Sequence, residues 1–444
     1  MENDKTLKKQ NTRRDFVKNT TLLSAGMLLP TIDVGGMANV FENKTLKLAL
    51  VGCGGRGSGA ADQALQADDN VELVAMADAF EDRLTDSYNN LSEKYADTGK
   101  IKVKEKNRFV GFNAYKKAID LADVVILATP PGFRPSHFAY AIENGKHVFM
   151  EKPVATDVPG IRKVLEMAKL AQEKKLNVVV GLQRRYQENY LQTLDKLRAG
   201  KIGKITSGQV YWNSAGVWVR PRKPQQSELE YQMRNWYYFN WLCGDHILEQ
   251  HIHNIDVANW FIGEYPESAQ GMGGRLVRTG KDHGEIFDHH FVEFKYPSGA
   301  IISSQCRHQP NTMFKVGEVF QGIKGSVETN DAGVAKIFDL NGEQLHTISN
   351  TEGHNPYQEE HNRLFASIRN KGVINDAEIG AKSTMSAIMG RMATYSGKVI
   401  TWDEAIKSEI SLVPEEMTWD SEPPTMPNAE GKYSIPIPGK TVVV

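Results

Sequence analysis

Two stretches carry side chains that can move a proton. In Glu151-Lys152-Pro153 the proline fixes the backbone after the lysine, so the ammonium projects in a defined direction. An amine held in this way can hydrogen-bond the oxygen of an alcohol or carbonyl and help move its proton. The second stretch, Cys243 to Trp260, reads CGDHILEQHIHNIDVANW. On one helix Glu249, His253 and Asp256 share a face, being four and three residues apart. Such a face supplies a general base near neutral pH, His253, with carboxylates to orient it. We take Lys152, His253 and Glu249 as the catalytic candidates, with His246 and His251 as further candidates. The plain alternatives are a solvated surface lysine and a structural buried histidine. A metal site is the third alternative, but no H-E-x-x-H or comparable spacing occurs, and no metal is expected.

A third stretch supplies a redox partner for that chemistry. In Leu46 to Asp78 a buried-strand pattern ends at Val51, and Gly52, Gly54 and Gly57 follow at G-x-G-x-x-G spacing. An Ala-rich helical segment comes next, then a second apolar strand ending on Asp78, about 20 residues past the last glycine. Gly52 allows the tight turn, Gly54 lets the backbone approach a pyrophosphate, and Gly57 lets helix and strand pack closely. The helix N-terminus adds free N–H groups and positive potential. Asp78 can accept from the ribose hydroxyls, which favours NAD over NADP despite Arg83 nearby. An ordinary βαβ turn is the competing reading of a bare glycine motif. Here strand, turn, helix, strand and terminal acid all occur in order.

Alternating β and α patterns continue to residue 180. Val103–Phe109 is expected as a strand, Ala114–Leu121 as a helix and Val124–Ala128 as a buried strand. His137–Asn144 is expected as a helix, His147–Met150 as a strand, Val158–Lys174 as a helix and Asn177–Gly181 as a strand. This predicts a parallel sheet with helices on both faces, whose strand carboxyl ends face a ligand crevice. Gly55, Arg56, Thr129, Pro130, His137, Glu151, Lys152 and Gln183 are then placed to contact the cofactor. Beyond residue 200 long strands replace this pattern, at 206–212, 269–277, 287–296, 300–307 and 318–329, joined by turns such as Tyr296-Pro297-Ser298-Gly299. An α+β domain on a large open, mostly antiparallel sheet is expected, with helix returning over 356–402. The division is 1–44, 45–180 and 181–444.

Arg184, Tyr186, Trp236, His246 and Asp256 are candidate substrate contacts. Aromatic residues including Tyr211, Trp212, Trp218 and Trp236 to Tyr238 crowd the approach to the histidine segment. They suit stacking on sugar rings, and a packed core explains several equally well. Arg184, Arg185 and Arg307 either bind polar substrate groups or pair with acids.

The 444 residues carry a formal charge of −1, with 40% hydrophobic and 24% charged residues, which suits a globular protein with a sizeable core and gives no general attraction to nucleic acid or anionic membrane. Three scattered cysteines build neither a disulfide framework nor a zinc site. Thr12-Arg13-Arg14-Asp15-Phe16-Val17-Lys18, followed by the apolar run Leu22–Leu29, looks like a twin-arginine export signal, with a disordered basic tail as the alternative. The run is too short to span a bilayer. Such export carries folded proteins, so periplasmic localisation and a tightly held nucleotide are expected together.

With these residues in place the chain resembles the glucose–fructose oxidoreductase / inositol dehydrogenase / rhizopine-catabolism (Gfo/Idh/MocA) family, over residues 46 to about 403. Gly52-Cys-Gly-Gly-Arg-Gly57 matches its glycine motif and Glu151-Lys152-Pro153 its most recognisable signature. Glu249-Gln-His-Ile-His253-Asn-Ile-Asp256 is similar to its Asp-x-Gly-x-His-x-x-Asp pattern, with Glu249 and His251 departing from it. The resemblance implies an N-terminal Rossmann domain, a C-terminal sheet domain, an active site between them, and a homo-oligomer. It implies hydride transfer between NAD and a hydroxyl-bearing carbon of a sugar or cyclitol, with His253 as acid/base and Lys152 near nicotinamide and substrate. Redox-neutral glycoside hydrolysis, as in related NAD-dependent α-N-acetylgalactosaminidases, is the runner-up. Those enzymes lack the Glu-Lys-Pro lysine. A non-catalytic sugar-binding protein is the third possibility.

Overall fold

The apolar runs of the first half assemble into one parallel sheet in the computed structural model, which describes residues 44–444. The twin-arginine segment and the run Leu22–Leu29 lie outside the described residues. The elements are β1 (Leu46–Val51), α1 (Gly55–Ala67), β2 (Val71–Asp78), α2 (Glu81–Lys94), β3 (Arg108–Val110) and α3 (Ala114–Asp120). They continue as β4 (Val124–Leu127), α4 (Arg134–Glu143), β5 (His147–Met150), α5 (Val158–Glu173) and β6 (Val178–Val180). Strand order is β3-β2-β1-β4-β5-β6, all parallel. The central strands are unbroken apolar runs because helices cover both faces. The order reverses between β1 and β4, which opens a crevice at their carboxyl ends.

Two boundaries differ from expectation. The strand expected over 103–109 is only Arg108–Val110, because the polar Glu105–Asn107 takes a 3₁₀ turn instead. Helix α4 starts at Arg134, three residues early, with Pro135 in its first turn, where a missing N–H costs nothing.

The second half runs α6 (Glu188–Arg198), β7 (Ile205–Ser214), α7 (Glu228–Arg234), α8 (Asn240–Cys243), α9 (His246–Glu249), α10 (Ile252–Ile262), β8 (Ser268–Gly274), β9 (His289–Lys295) and β10 (Ile301–His308). It goes on through β11 (Lys315–Gly322), β12 (Gly325–Asn330), β13 (Val334–Asp339), β14 (Gln344–Ser349), α11 (Pro356–Arg369), α12 (Ala377–Ser396), β15 (Ile400–Thr401) and α13 (Trp402–Ala405). A nine-stranded sheet, β14-β13-β12-β11-β7-β10-β9-β8-β15, is antiparallel except for the β7–β10 pair. The stretch read as one strand over 318–329 is a hairpin, turned at Ile323-Lys324 between Gly322 and Gly325. Strands β13 and β14 extend the sheet beyond what the sequence pattern suggested.

The chain then returns to the first half. Helix α11 packs on α1, and the Val178 N–H donates to the Ile374 carbonyl (2.7 Å). Helix α12, buried almost all round, packs against both α5 and β8. The nucleotide half is therefore completed by residues more than 170 positions beyond its last strand, so a single cut at residue 180 does not describe the packing. Among the described residues no helix is long and apolar enough to cross a membrane.

Candidate active site

The glycine turn is shaped by contacts that leave no room for side chains. Gly52 has φ +95°, and a Cβ there would lie 2.6 Å from Thr129 N. A Cβ on Gly57 would collide with the Gly52 carbonyl oxygen, which is the close helix–strand packing that the spacing predicts. Gly54 and Gly55 differ, because a Cβ on either meets nothing within 4 Å. They face a cavity of about 530 Å³ whose wall also includes Arg56, Asp78, Thr129, Pro130 and His137. Open backbone at a helix N-terminus is a ready cradle for a pyrophosphate, so this wall fits a dinucleotide.

Asp78 ends β2 on that wall, with Oδ2 accepting from the Cys53 N–H (2.6 Å) and Oδ1 from the Phe80 N–H (2.9 Å). Burial raises its carboxyl above the usual range, and these two N–H groups oppose the shift. Each oxygen keeps a second lone pair for a ribose hydroxyl. His137 is buried, and Nδ1 lies 3.2 Å from Thr129 Oγ1. Burial, with the Arg134 charge, pushes its pKa down to about 3, so the ring is neutral at pH 7.

Glu151, Lys152 and Gln183 do not line this cavity. Glu151 accepts from Arg56 Nε (2.5 Å) and thereby fixes the arginine of the glycine turn. Gln183 opens a 3₁₀ turn with its Oε1 buried and unpartnered. Lys152, joined to Pro153 by a cis peptide bond, lies at the carboxyl end of β5 and donates from Nζ to the Glu249 carbonyl (2.5 Å) and to Glu249 Oε1 (3.2 Å). Arg134, which sequence reasoning did not single out, connects the two regions. Fully buried, it donates to the Thr129 carbonyl on the cavity side and to the Pro153 carbonyl beside Lys152. Its guanidinium thus fixes the loops after β4 and β5 together.

The histidine segment is not one helix. Gly244 adopts a left-handed conformation (φ +76°), and Asp245 follows with φ +74° and ψ 162°, a region almost reserved for glycine. The Asp245 carboxylate caps α9 through the His246 N–H (2.5 Å). A second break separates Glu249 from Ile252, where the His251 N–H reaches back five residues to the His246 carbonyl (3.2 Å). Glu249 and His253 therefore do not share a continuous face, although both remain near Lys152. Burial raises the Glu249 carboxyl while Lys152 pulls it down. His253 is buried against the Trp212 indole (5.9 Å between centroids), and its Nδ1 has no partner. Burial first, then the charges of Lys152 and Arg184, hold its pKa well below 6.5.

Three expected substrate contacts have other partners. Asp256 accepts from Arg185 Nε and Nη2 (both 2.8 Å) and from Ser383 Oγ (2.6 Å). Arg184 pairs with buried Glu318 (2.5 Å), which also accepts from Tyr190 and Asn254. Tyr186 donates to Asp376 (2.5 Å). These bonds join the end of the first sheet to the second domain. Trp236 does line the cavity. His246 is fully buried, donating from Nδ1 to Asp245 (2.8 Å) and stacked on His308 (4.4 Å).

Asp245, His246 and His290 have donor atoms within 4.8 Å of one another, a spacing that could hold a metal ion. The Asp245 carboxylate and the Nδ1 of each histidine already serve hydrogen bonds, whereas Nε2 of His246 and of His290 is buried without a hydrogen-bond partner. Asp245 Oδ2 accepts from Tyr395 (2.5 Å) and the Phe287 N–H (3.0 Å), and His290 Nδ1 pairs with Thr394 (2.9 Å). We read the group as a polar support under α9.

Comparison with known proteins agrees with this geometry. Residues 46–182 match the oxidoreductase family with an NAD-binding Rossmann fold, GFO_IDH_MocA, and residues 190–327 match the GFO/IDH/MocA C-terminal domain. The chain is 26% identical over 231 residues to a 2,7-anhydro-N-acetylneuraminate hydratase of Escherichia coli (strain K12), covering 51% of this chain and only 57% of that protein. It is 25% identical over 265 residues to an inositol 2-dehydrogenase of Rhizobium meliloti (strain 1021), covering 59% and 69% of the two chains. An aldose-aldose oxidoreductase structure from Caulobacter crescentus shares the fold at 18% identity, with a TM-score of 0.63 over 81% of this chain and all of that one. Nucleotide cradle, Lys152 and sheet domain thus occur together for a common reason: the chain belongs to the Gfo/Idh/MocA family of NAD-binding oxidoreductases.

Proposed function

We propose that the protein oxidises a secondary hydroxyl of a sugar or glycoside with NAD that stays bound and is recycled in place. The observation that carries this reading is the Lys152–Glu249 contact beside His253, tied through Arg134 to the Thr129 wall of the dinucleotide cavity. Bound NAD⁺ would supply the two-electron acceptor for the hydride leaving the carbinol carbon. The chain's own groups handle the proton. Lys152 has the charge to polarise the alcohol oxygen, and His253, neutral at pH 7, is the group to take its proton. Glu249 holds Lys152 in position. Arg134 keeps the lysine loop in register with Thr129 on the cavity wall. Trp236 offers an aromatic face on the wall of the nucleotide cavity.

The basic N-terminus supports twin-arginine export to the periplasm. In such a compartment no nicotinamide pool exchanges, so a second carbonyl compound would reoxidise the cofactor on the protein. A homo-oligomer is part of this reading.

The hydratase relatives favour a second reading, transient oxidation with elimination or addition and no net redox change. The Glu-Lys-Pro lysine weighs towards net oxidation. The two separate in one experiment, in which NAD-loaded protein meets a panel of free sugars, cyclitols and glycosides while nicotinamide absorbance and product masses are followed. One equivalent of reduced cofactor with a keto product, reversed by an acceptor sugar, is expected. Many turnovers that release or hydrate sugar without net reduction would establish the second reading instead.

A further inference from the structure

The cavity wall is not made by the nucleotide half alone. Trp218, Arg220, Met233, Arg234 and Trp236 of the second domain face the glycine turn and Asp78 across it. Asp78 marks the adenosine side of such a site, so this segment roofs the end by which a dinucleotide would leave. Arg234 fastens the roof. Its guanidinium lies 4.0 Å from the Phe80 ring centroid and donates to Asp82 (2.9 and 3.3 Å).

A second fastening comes from residues beyond the two matched family domains. From Ile406 the chain has no regular secondary structure, yet it is anchored at successive points. Arg162 donates to the carbonyls of Ile406 (3.0 Å) and Ser408 (2.7 Å), and Asp157 accepts from the Leu412 N–H (2.7 Å), all on α5 or its cap. Trp419 then packs on Phe80 (5.2 Å) and Phe112 (4.7 Å), two rings of the cavity wall. Past it, Gln232 donates to the Thr425 carbonyl (2.7 Å) and Tyr433 donates to Glu228 (2.5 Å), both on α7 of the roof. The tail thus runs from the nucleotide half, over the adenosine wall, to the roof.

We infer that this tail is a working part of the dinucleotide site, with Trp419 and Arg234 as cofactor-retaining residues that keep the nucleotide from exchanging between turnovers. The inference deepens the proposed recycled cofactor and rests on that reading. Release requires the roof to lift, which breaks the Arg234–Asp82 pair and uncovers Phe80 from both sides. An aromatic contact of this kind is worth about a tenfold change in an equilibrium or rate.

The test is nucleotide exchange, which needs no sugar. Full-length protein loaded with NAD⁺ is mixed with excess isotopically labelled NAD⁺, and the mass of the retained nucleotide is followed after rapid desalting. Wild type should keep its nucleotide for many minutes, whereas Trp419→Ala should exchange about tenfold faster and Asp82→Asn about two- to fivefold faster, both with unchanged circular dichroism. Asp82 has a side chain 56% exposed, so its variant carries the test if Trp419→Ala does not fold. Exchange of wild type within seconds, or variants as slow as wild type, would overturn the inference. A silent sugar panel with slow exchange would count against the proposed substrate reaction alone.

Discussion

The Lys152 ammonium lies 2.5 Å from the carbonyl oxygen and 3.2 Å from the Oε1 of the same residue, Glu249. One side chain at a strand end of the nucleotide half is thus held by the backbone and the carboxylate of the last residue of α9. With both side chains only 14% exposed, the pair is weakly screened and geometrically defined. Lys152→Met should lower kcat by about 10²–10³-fold, the range for loss of a positioned acid–base group, while nucleotide binding stays intact. Single-turnover reduction of bound NAD⁺ reads the first quantity and equilibrium dialysis the second. Lys152→Met protein with full turnover would remove the lysine from the mechanism.

His253 gives a pH prediction with a defined sign. Burial and the Lys152 charge both disfavour the imidazolium, so the acid limb of kcat/KM should fall below pH 6.5. Removing the Lys152 charge in Lys152→Met takes away one of these causes and leaves burial and the Arg184 charge. The residual activity of that variant should therefore show its acid limb at higher pH than wild type. A limb that stays fixed or moves down would mean that another group titrates. His253→Gln should remove the limb together with about 10²-fold or more of the activity.

Two glycines of the turn should respond oppositely to the same small change. Gly57→Ala places a methyl against the Gly52 carbonyl oxygen, so the turn must shift and stability falls. Gly54→Ala meets no protein atom within 4 Å and should leave the melting temperature almost unchanged. Its methyl instead enters the space of the pyrophosphate and should weaken NAD binding by about tenfold or more. Thermal melts without nucleotide, followed by titration with NAD⁺, separate the two effects.

Where sequence pattern reported the structure, a local physical rule was at work. The glycine turn, Asp78 and the Glu-Lys-Pro lysine sit at strand ends, and a strand end is fixed by the run that precedes it. Asp256, Arg184 and Tyr186 were harder, because whether a charged or phenolic group faces substrate depends on partners far along the chain. Those partners are Arg185 and Ser383, Glu318, and Asp376 respectively. The break at Gly244-Asp245 was hidden by the helical spacing around it. A glycine before an N-capping aspartate was the available signal. Nothing local marked the tail, since Trp419 acquires its role only by crossing to Phe80 and Phe112.

His361 allows the electrostatics of the core to be tested away from the active site. It is fully buried on α11, its ring tilted against Phe149 with centroids 4.2 Å apart, and neither ring nitrogen has a partner. Burial, with the Arg56 charge, pushes its pKa down to about 3, against about 6.5 in an unfolded chain. Below pH 6.5 the unfolded state therefore binds a proton that the folded state refuses. The contribution of the neutral ring is complete above pH 6.5 and is lost as pH falls towards 3, at about 1.4 kcal/mol per pH unit. His361→Phe keeps the aromatic contact and removes the titration. Its stability relative to wild type should rise by about 2 kcal/mol between pH 7.5 and pH 5.0, since about 1.5 pH units of that interval lie below 6.5. Urea unfolding of both proteins at the two pH values measures the difference, and a value independent of pH would show that the ring is protonated, or solvated, in the folded protein.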